Sequence, residues 1–251
     1  MKSYQDLIAA SENEAAKMAF VFAAITEHKG TEPYIIALDA EQYYRGLNPR
    51  ITKYEKIIYD MRGDAHVDKW TPNHKIASNF FNFAITQENQ YLLGNGATFT
   101  KDDTKAKLGD DFDTKLQDLG KKALVGGVAF GFFNLDHIDT FSLLEFVPLY
   151  DEENGALRAG IRFWQVSPDK PMRATLYEED GYTDYIRAND KSAILHEKRP
   201  YKLKVRTSEA DGEEIYDGEN YPAFPIVPLW GNDKKQSELV GRQGTIDALD
   251  L

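Results

Sequence analysis

The sequence predicts an α+β fold, with N-terminal helices followed by an antiparallel β-meander. Three observations carry this. Apolar residues recur at helical spacing as far as Gly126. Beyond Gly126 the period shortens, and Leu157, Ala159, Ile161 and Phe163 alternate with Arg158, Gly160, Arg162 and Trp164, as in a half-buried strand. Turn signals (Tyr150–Gly155, Asp180-Gly181, Asp211-Gly212) then separate the apolar stretches at hairpin intervals.

Ser11 and Glu14 have capping-box spacing and open a helix whose apolar stripe is Met18, Val21, Phe22 and Ile25. Gly30 ends it. Thr31 and Pro33 start another, through Ile36 and Tyr43 to Gly46. Asn48–Thr71 is polar and aperiodic and reads as loop with at most a helical turn. Asn73–Gly94 reads as one helix, with Asn73 as N-cap and Gly94 as a left-handed stop. Ile76, Phe80, Phe83, Ala84 and Tyr91 form its expected core stripe, so Phe80→Ala is expected to cost about 3–5 kcal/mol. Phe80, Phe81 and Phe83 reach nearly all round, so more than one face should be covered: one by the meander, another by a neighbouring subunit, with Phe81 or Tyr91 at that contact.

Thr100–Asp110 is a charged connector, and Asp113–Gly126 a helix with Leu116, Leu119, Ala123 and Leu124 inward. Val128–Asn134 and Phe141–Val147 are strands joined across Asp136–Thr140. Thr175–Glu179 and Tyr182–Arg187 form a hairpin about Asp180-Gly181, and Tyr201–Arg206 and Glu213–Tyr216 flank Asp211-Gly212. Tyr221–Pro228 holds three prolines and must be irregular or a sheet edge. Ser237–Leu251 returns to a helical pattern.

At 251 residues the chain can bury a proper core, as one large domain or two small ones. The formal net charge of −11 argues against a general nucleic-acid binder but permits a surface past which DNA slides. There are no cysteines, hence neither disulfides nor thiolate metal sites. Met1–Ala10 lacks a secretory leader, and an intracellular compartment is expected.

Catalytic motifs are weak. Gly94-Asn95-Gly96 lacks the third glycine of a dinucleotide fingerprint and the Gly-Lys-Ser/Thr of a P-loop, and reads as a helix stop. His28, His66, His74, His137 and His196 show no metal-ligand spacing, and His74 is expected at the surface. Asp151–Asn154 lacks the alternating oxygens of a calcium loop and reads as a solvated turn. Arg158 and Arg162 beside Trp164 read as an ordinary exposed face. No catalytic residue, cofactor site or metal site is assigned.

An ordered set of short segments goes further. Tyr43-Tyr44-Arg45-Gly46 is followed by Asn73-His74-Lys75-Ile76 and Tyr91-Leu92-Leu93-Gly94-Asn95. Gly126-Gly127-Val128-Ala129-Phe130, Phe146-Val147-Pro148-Leu149-Tyr150-Asp151 and Ala159–Trp164 come next, then Pro225–Asn232. This succession resembles the portal proteins of tailed bacteriophages, in particular the family typified by the portal of phage SPP1. The resemblance spans roughly Glu41 to Leu251. It implies structural roles for Tyr44, Arg45, Gly46, Asn73, Lys75, Leu92, Leu93, Gly94, Asn95, Gly127, Pro148, Tyr150, Asp151 and Asn232.

It also implies a non-enzymatic subunit of a ring, dodecameric in the virion, at one capsid vertex. Its partners would be further copies of itself, capsid and scaffold proteins, the terminase motor and head-completion proteins. Double-stranded DNA would pass through without sequence specificity, and no membrane partner is implied. The ring would assemble in the host cytoplasm and reside in the virion. Residues 1–236 would correspond to the wing-like α+β region and 237–251 to the start of a helix leading toward a stem, clip and crown, which are absent here, the chain being either a fragment, the favoured reading, or a divergent short relative. A soluble enzyme with its catalytic groups on the meander loops, or another phage structural protein of wing-like fold, are the competing readings.

Overall fold

The computed structural model describes residues 2–71, 74–189, 191–207 and 214–250. The order of elements is α+β as expected. Among the described residues, helices α1 (Tyr4–Ala10), α2 (Glu14–Lys29), α3 (Glu32–Tyr44) and α4 (Pro49–Lys53) come first. A small hairpin, β1 (Ile57–Tyr59) and β2 (Ala65–Val67), precedes α5 (Phe80–Leu93), α6 (Asp102–Ala106) and α7 (Phe112–Gly126). The strands are β3 (Val128–Asn134), β4 (His137–Ser142), β5 (Phe146–Tyr150), β6 (Leu157–Trp164), β7 (Met172–Glu178) and β8 (Gly181–Ala188). They continue as β9 (Lys191–Arg199), β10 (Lys202–Thr207), β11 (Glu214–Glu219) and β12 (Ile226–Trp230), and α8 (Gln243–Asp250) closes the series.

Strands β5 to β9 form a five-stranded antiparallel meander in chain order. A three-stranded sheet has the order β12-β3-β4, and β10 pairs with β11. Period-two alternation puts the two faces of the meander into different cores. Val147, Leu149, Ala159, Ile161 and Leu176 pack under Leu7, Val21, Phe22 and Ile25 of the first two helices. Phe146 and Tyr177 point the other way, onto Phe130, Phe132 and Phe141 of the smaller sheet. A third core joins Ala40 and Tyr43 of α3, Phe81 and Ile85 of α5, Leu124 of α7 and Ile246 of α8. Pro228 sits in β12, which is a sheet edge and needs one ladder fewer, as the proline run required.

Several sequence expectations need correction. The first helix is α1, capped reciprocally by Ser3 and Asp6. Ser11 donates its hydroxyl to the Leu7 carbonyl instead of opening a capping box, and Asn13 caps α2 by accepting from the Ala15 N–H at 2.8 Å. The Asn48–Thr71 region contains α4 and a hairpin. Phe141–Val147 is not one strand: Ser142 donates its N–H to the Glu145 carboxylate at 2.8 Å, and the turn so formed separates β4 from β5. The hairpin turn before β4 falls at Leu135-Asp136, with Leu135 at positive φ. The charged connector includes α6, and strand β9 lies where no strand was expected. The Asp211-Gly212 turn lies outside the described residues, although its flanking strands pair as expected.

Helix α5 differs most. It begins at Phe80, and residues 74–79 are not helical. Asn73 itself lies outside the described residues. The physical reason is tertiary: Ser78 gives its N–H to the Asp250 carboxylate at 2.9 Å, and Lys75 donates to the Thr52 carbonyl at 2.8 Å. These bonds hold the preceding chain extended across α4 and α8. Gly94 is right-handed (φ −62°) and still bonded to Gln90, while Gly96 takes the positive φ of 72°. The buried stripe is Phe81, Ile85 and Asn89, and it packs on α7 and α3, not on the meander. Phe80, Phe83 and Tyr91 are 51%, 57% and 90% exposed. Phe81 is thus core and is not available for a contact between subunits.

Candidate functional site

The residues singled out by sequence occupy three junctions between elements, not one pocket. At the first, α3 ends against the start of α5. Gly46 takes φ 73°, a left-handed conformation in which a side chain is strained. Its α-carbon faces Asn79, and Asn82 donates to the Tyr44 carbonyl at 3.0 Å. Arg45 pairs with Glu41 one turn back at 2.8 Å. Lys75 reaches the end of α4, as above. At the second junction, α5 ends against α7. The Leu93 carbonyl accepts from Gln117 at 3.3 Å, and Asn89 donates to the Gln117 carbonyl at 3.0 Å. Leu92, Gly94 and Asn95 are exposed there.

The third junction collects Gly127, Pro148, Tyr150, Asp151 and Asn232. Gly127 (φ 86°) turns the chain from α7 into β3. A Cβ at this position would lie 2.8 Å from the Gln236 carbonyl carbon, so the two backbones meet here because neither a side chain nor a negative φ is present. Asn232 closes the facing loop: its amide donates to the Gln236 carbonyl and to Glu238, both at 2.8 Å. Pro148 and Tyr150 of β5 line the cleft between these parts, with Pro33, Ile36, Val128 and Trp230. The cleft measures about 340 Å³. Tyr150 stacks on Trp230 at 6.4 Å. Asp151 begins the expected turn, accepts from the Glu153 N–H at 3.0 Å, and receives the Gln5 amide at 2.7 Å, which ties α1 to the meander.

The titratable groups that line this cleft include His28, Glu32, Tyr150 and Lys235; burial shifts His28 and Tyr150, and these two form no acid–base pair. His28 is buried, and its Nε2–H donates to the Leu143 carbonyl at 2.9 Å. Burial pushes its imidazole below the usual range, against the carbonyl, which raises it; the Lys29 charge lowers it further. Burial raises the Tyr150 phenol far above its usual range. His28 Nδ1 and the Tyr150 hydroxyl are both out of reach of solvent and have no hydrogen-bond partner among the described residues. This arrangement packs elements together; it does not aim a nucleophile at an opening.

The buried His28 gives a pH prediction. In the unfolded chain its pKa is ordinary, about 6.5. Below that value the unfolded state takes up a proton that the native state refuses, so stability falls with pH, by at most about 1.4 kcal/mol per pH unit for one group. Urea denaturation at pH 7.5 and 5.5 should show a smaller acid loss for His28→Gln than for the parent. Equal losses would remove His28 as the cause.

Sequence reading passed over one polar cluster. Asn48 caps α4 and donates its amide to Asp247 at 2.9 Å and to Asp250 at 2.8 Å, while Tyr43 donates to Asp247 at 2.5 Å. Burial and the neighbouring Asp247 push the Tyr43 hydroxyl up to about 12. The usable signal was the spacing of Gln243, Ile246, Asp247 and Asp250, which puts both carboxylates on the apolar face of α8. Arg162 was misread too: its guanidinium lies over Phe141 at 4.6 Å and Trp164 at 5.2 Å, covering the aromatic core.

Helices and antiparallel sheets locked at glycine and asparagine junctions make up this α+β fold. Residues 25–251 match the family described as phage portal protein, SPP1 Gp6-like, and the chain belongs to that family. Among curated proteins it is similar to the portal protein of Bacillus phage SPP1, at 24% identity over 267 residues, covering 98% of this chain and 50% of the relative. The chain thus spans about half the length of that relative. The family match runs from the end of α2 through α8, so it takes in all three junctions.

Proposed function

We propose that this chain is the wing-like part of a portal subunit, residues 1–236, with 237–251 leading toward the stem. Copies of the subunit build a ring at one capsid vertex, through which double-stranded DNA is packaged and ejected. Terminase and head-completion proteins dock on that ring, and capsid and scaffold proteins surround it. The subunit has a structural role and no catalytic one; it assembles in the host cytoplasm and ends in the virion. The family match over residues 25–251 is the observation that carries this reading. The net charge of −11 is consistent with it, because carboxylates repel phosphates and discourage DNA from sticking.

Electron microscopy of the product of the complete reading frame tests it. Rings with a central hole are expected. A monodisperse monomer at high protein concentration overturns the proposal.

A further inference from the structure

Among the described residues, two exposed apolar surfaces stand out. The first is the arm formed by β1, β2 and the chain to Trp70. All six strand residues of β1 and β2 are exposed, and among the described residues no other element packs extensively on the hairpin. Cross-strand register puts Ile57, Tyr59, Ala65 and Val67 on one face. Met61 and Trp70 are exposed beside them, Trp70 at 94%.

The arm is nevertheless firmly built. Asp60 accepts from the N–H groups of Arg62 at 2.7 Å and Asp64 at 3.0 Å, which shapes the turn. At the base, Asp68 gives its N–H to the Lys56 carbonyl at 2.7 Å and accepts from Trp70 and Thr71. A lone two-stranded hairpin is marginal in water, so a shaped arm with an uncovered apolar face needs a surface to lie on.

The second surface is the outer stripe of α5. Phe80, Phe83 and Tyr91 follow helical spacing and all face away from α7 and α3. Both surfaces are electrically neutral or nearly so in a chain of charge −11. Residues 57–70 carry Arg62 and Lys69 against Asp60, Asp64 and Asp68, a net charge of 2 − 3 = −1, and α5 carries only Glu88. Two copies of so acidic a chain repel each other, and they can meet at least cost where the charge is smallest. A closed ring also demands a head-to-tail contact between two different patches of the same subunit. The arm and the α5 stripe are two such patches. Tyr59 and Trp70 can bury roughly 150–250 Å² each, and Ile57, Met61 and Val67 add to this toward the ~800 Å² per partner of a stable interface.

We propose that the 57–70 arm of one subunit docks on the Phe80–Phe83–Tyr91 stripe of α5 in the next copy. This rests on the ring proposed above and names its contact. These 251 residues hold no cysteine, and any cysteine elsewhere in the complete reading-frame product is first replaced by serine, so that only the engineered pairs can bridge. Tyr59→Cys and Phe83→Cys are made singly and together in the complete reading-frame product, purified, imaged and oxidised. Mixed single variants should give disulfide-linked dimers, the double variant a covalent ladder, and neither single variant alone any band above monomer. Rings that form but do not cross-link overturn the arm contact and leave the ring standing. A disulfide closing within one chain overturns it too, since the arm then covers its own helix. If no rings form at any concentration, the ring reading fails and the contact with it. As a second measurement, Trp70→Glu and Phe83→Glu should each cut the ring fraction at least ten-fold while leaving the thermal midpoint of the dissociated chain unchanged; rings at parental yield overturn the proposal.

Discussion

Phe146→Ala should destabilise the folded chain by about 3–5 kcal/mol, a loss that is a large part of the 5–15 kcal/mol typical of a whole domain. Phe146 is fully buried at the centre of the contact between the two sheets. Its ring lies 4.5 Å from Phe130 and 5.7 Å from Phe141. Its neighbours are held by both ladders, since Phe130 pairs with Phe141 and with Pro228, so the site cannot collapse into the space left. Gly160 gives this pocket a second, independent test. A Cβ at Gly160 would fall 2.0 Å from the Phe146 ring, so the glycine is there to admit the phenyl group. Gly160→Ala should therefore be costly in the parent and much cheaper in the Phe146→Ala background, where the ring is gone. Chemical denaturation of the four proteins measures both effects, and strictly additive losses would show that the two residues do not share this space.

The same packing explains what could be read from the sequence and what could not. Helices α2, α3 and α7 carry their own signals: an apolar stripe at period 3.6, Pro33 in the first turn of α3, Gly30 and Gly127 at helix ends. Strand β8 alternates cleanly in burial and β6 alternates in sequence, whereas β3 and β7 are buried in runs because both of their faces meet a core; turn residues bound the hairpins. Strand β9 was hidden because it is an edge strand, exposed or half-buried along its length, and its Lys, Glu and Arg residues mask the alternation. The turn between β4 and β5 was hidden because it contains neither glycine nor proline; the Glu145 carboxylate shapes it by accepting from the Ser142 N–H and hydroxyl. The junction residues divide in the same way. Gly46 and Gly127 are legible because a positive φ leaves few alternatives. Asn48 and Asp250 become meaningful only when the fold brings together residues 202 positions apart, to 2.8 Å.

Helix α5 separates periodicity from direction, and its two phenylalanines should separate in the same way. The sequence shows two apolar stripes, and nothing local decides which one turns inward. Asn89 decides it: its amide reaches the Gln117 carbonyl of α7 at 3.0 Å, and Gly120 lets the helices close, since a Cβ there would lie 2.5 Å from both Asn89 Oδ1 and Leu93 Cδ1. That contact fixes the rotation of α5 and puts Phe81 and Ile85 into the third core at 2% and 0% exposure. Phe81→Ala should cost about 3–5 kcal/mol. Phe80→Ala, one residue away and half-exposed, should cost the dissociated chain less than about 1 kcal/mol, well below what the stripe alone suggested. Thermal or urea unfolding of both variants in dilute solution, where copies are apart, gives the comparison, and equal losses would mean that α5 is rotated from the position described. In the assembled state the sensitivity should reverse for association: Phe80→Ala removes apolar surface where the neighbouring arm lies and weakens the ring, whereas a Phe81→Ala chain that still folds should assemble like the parent. If the proposed contact holds, one helix serves two interfaces, and the face that stabilises the chain is not the face that joins it to the next copy.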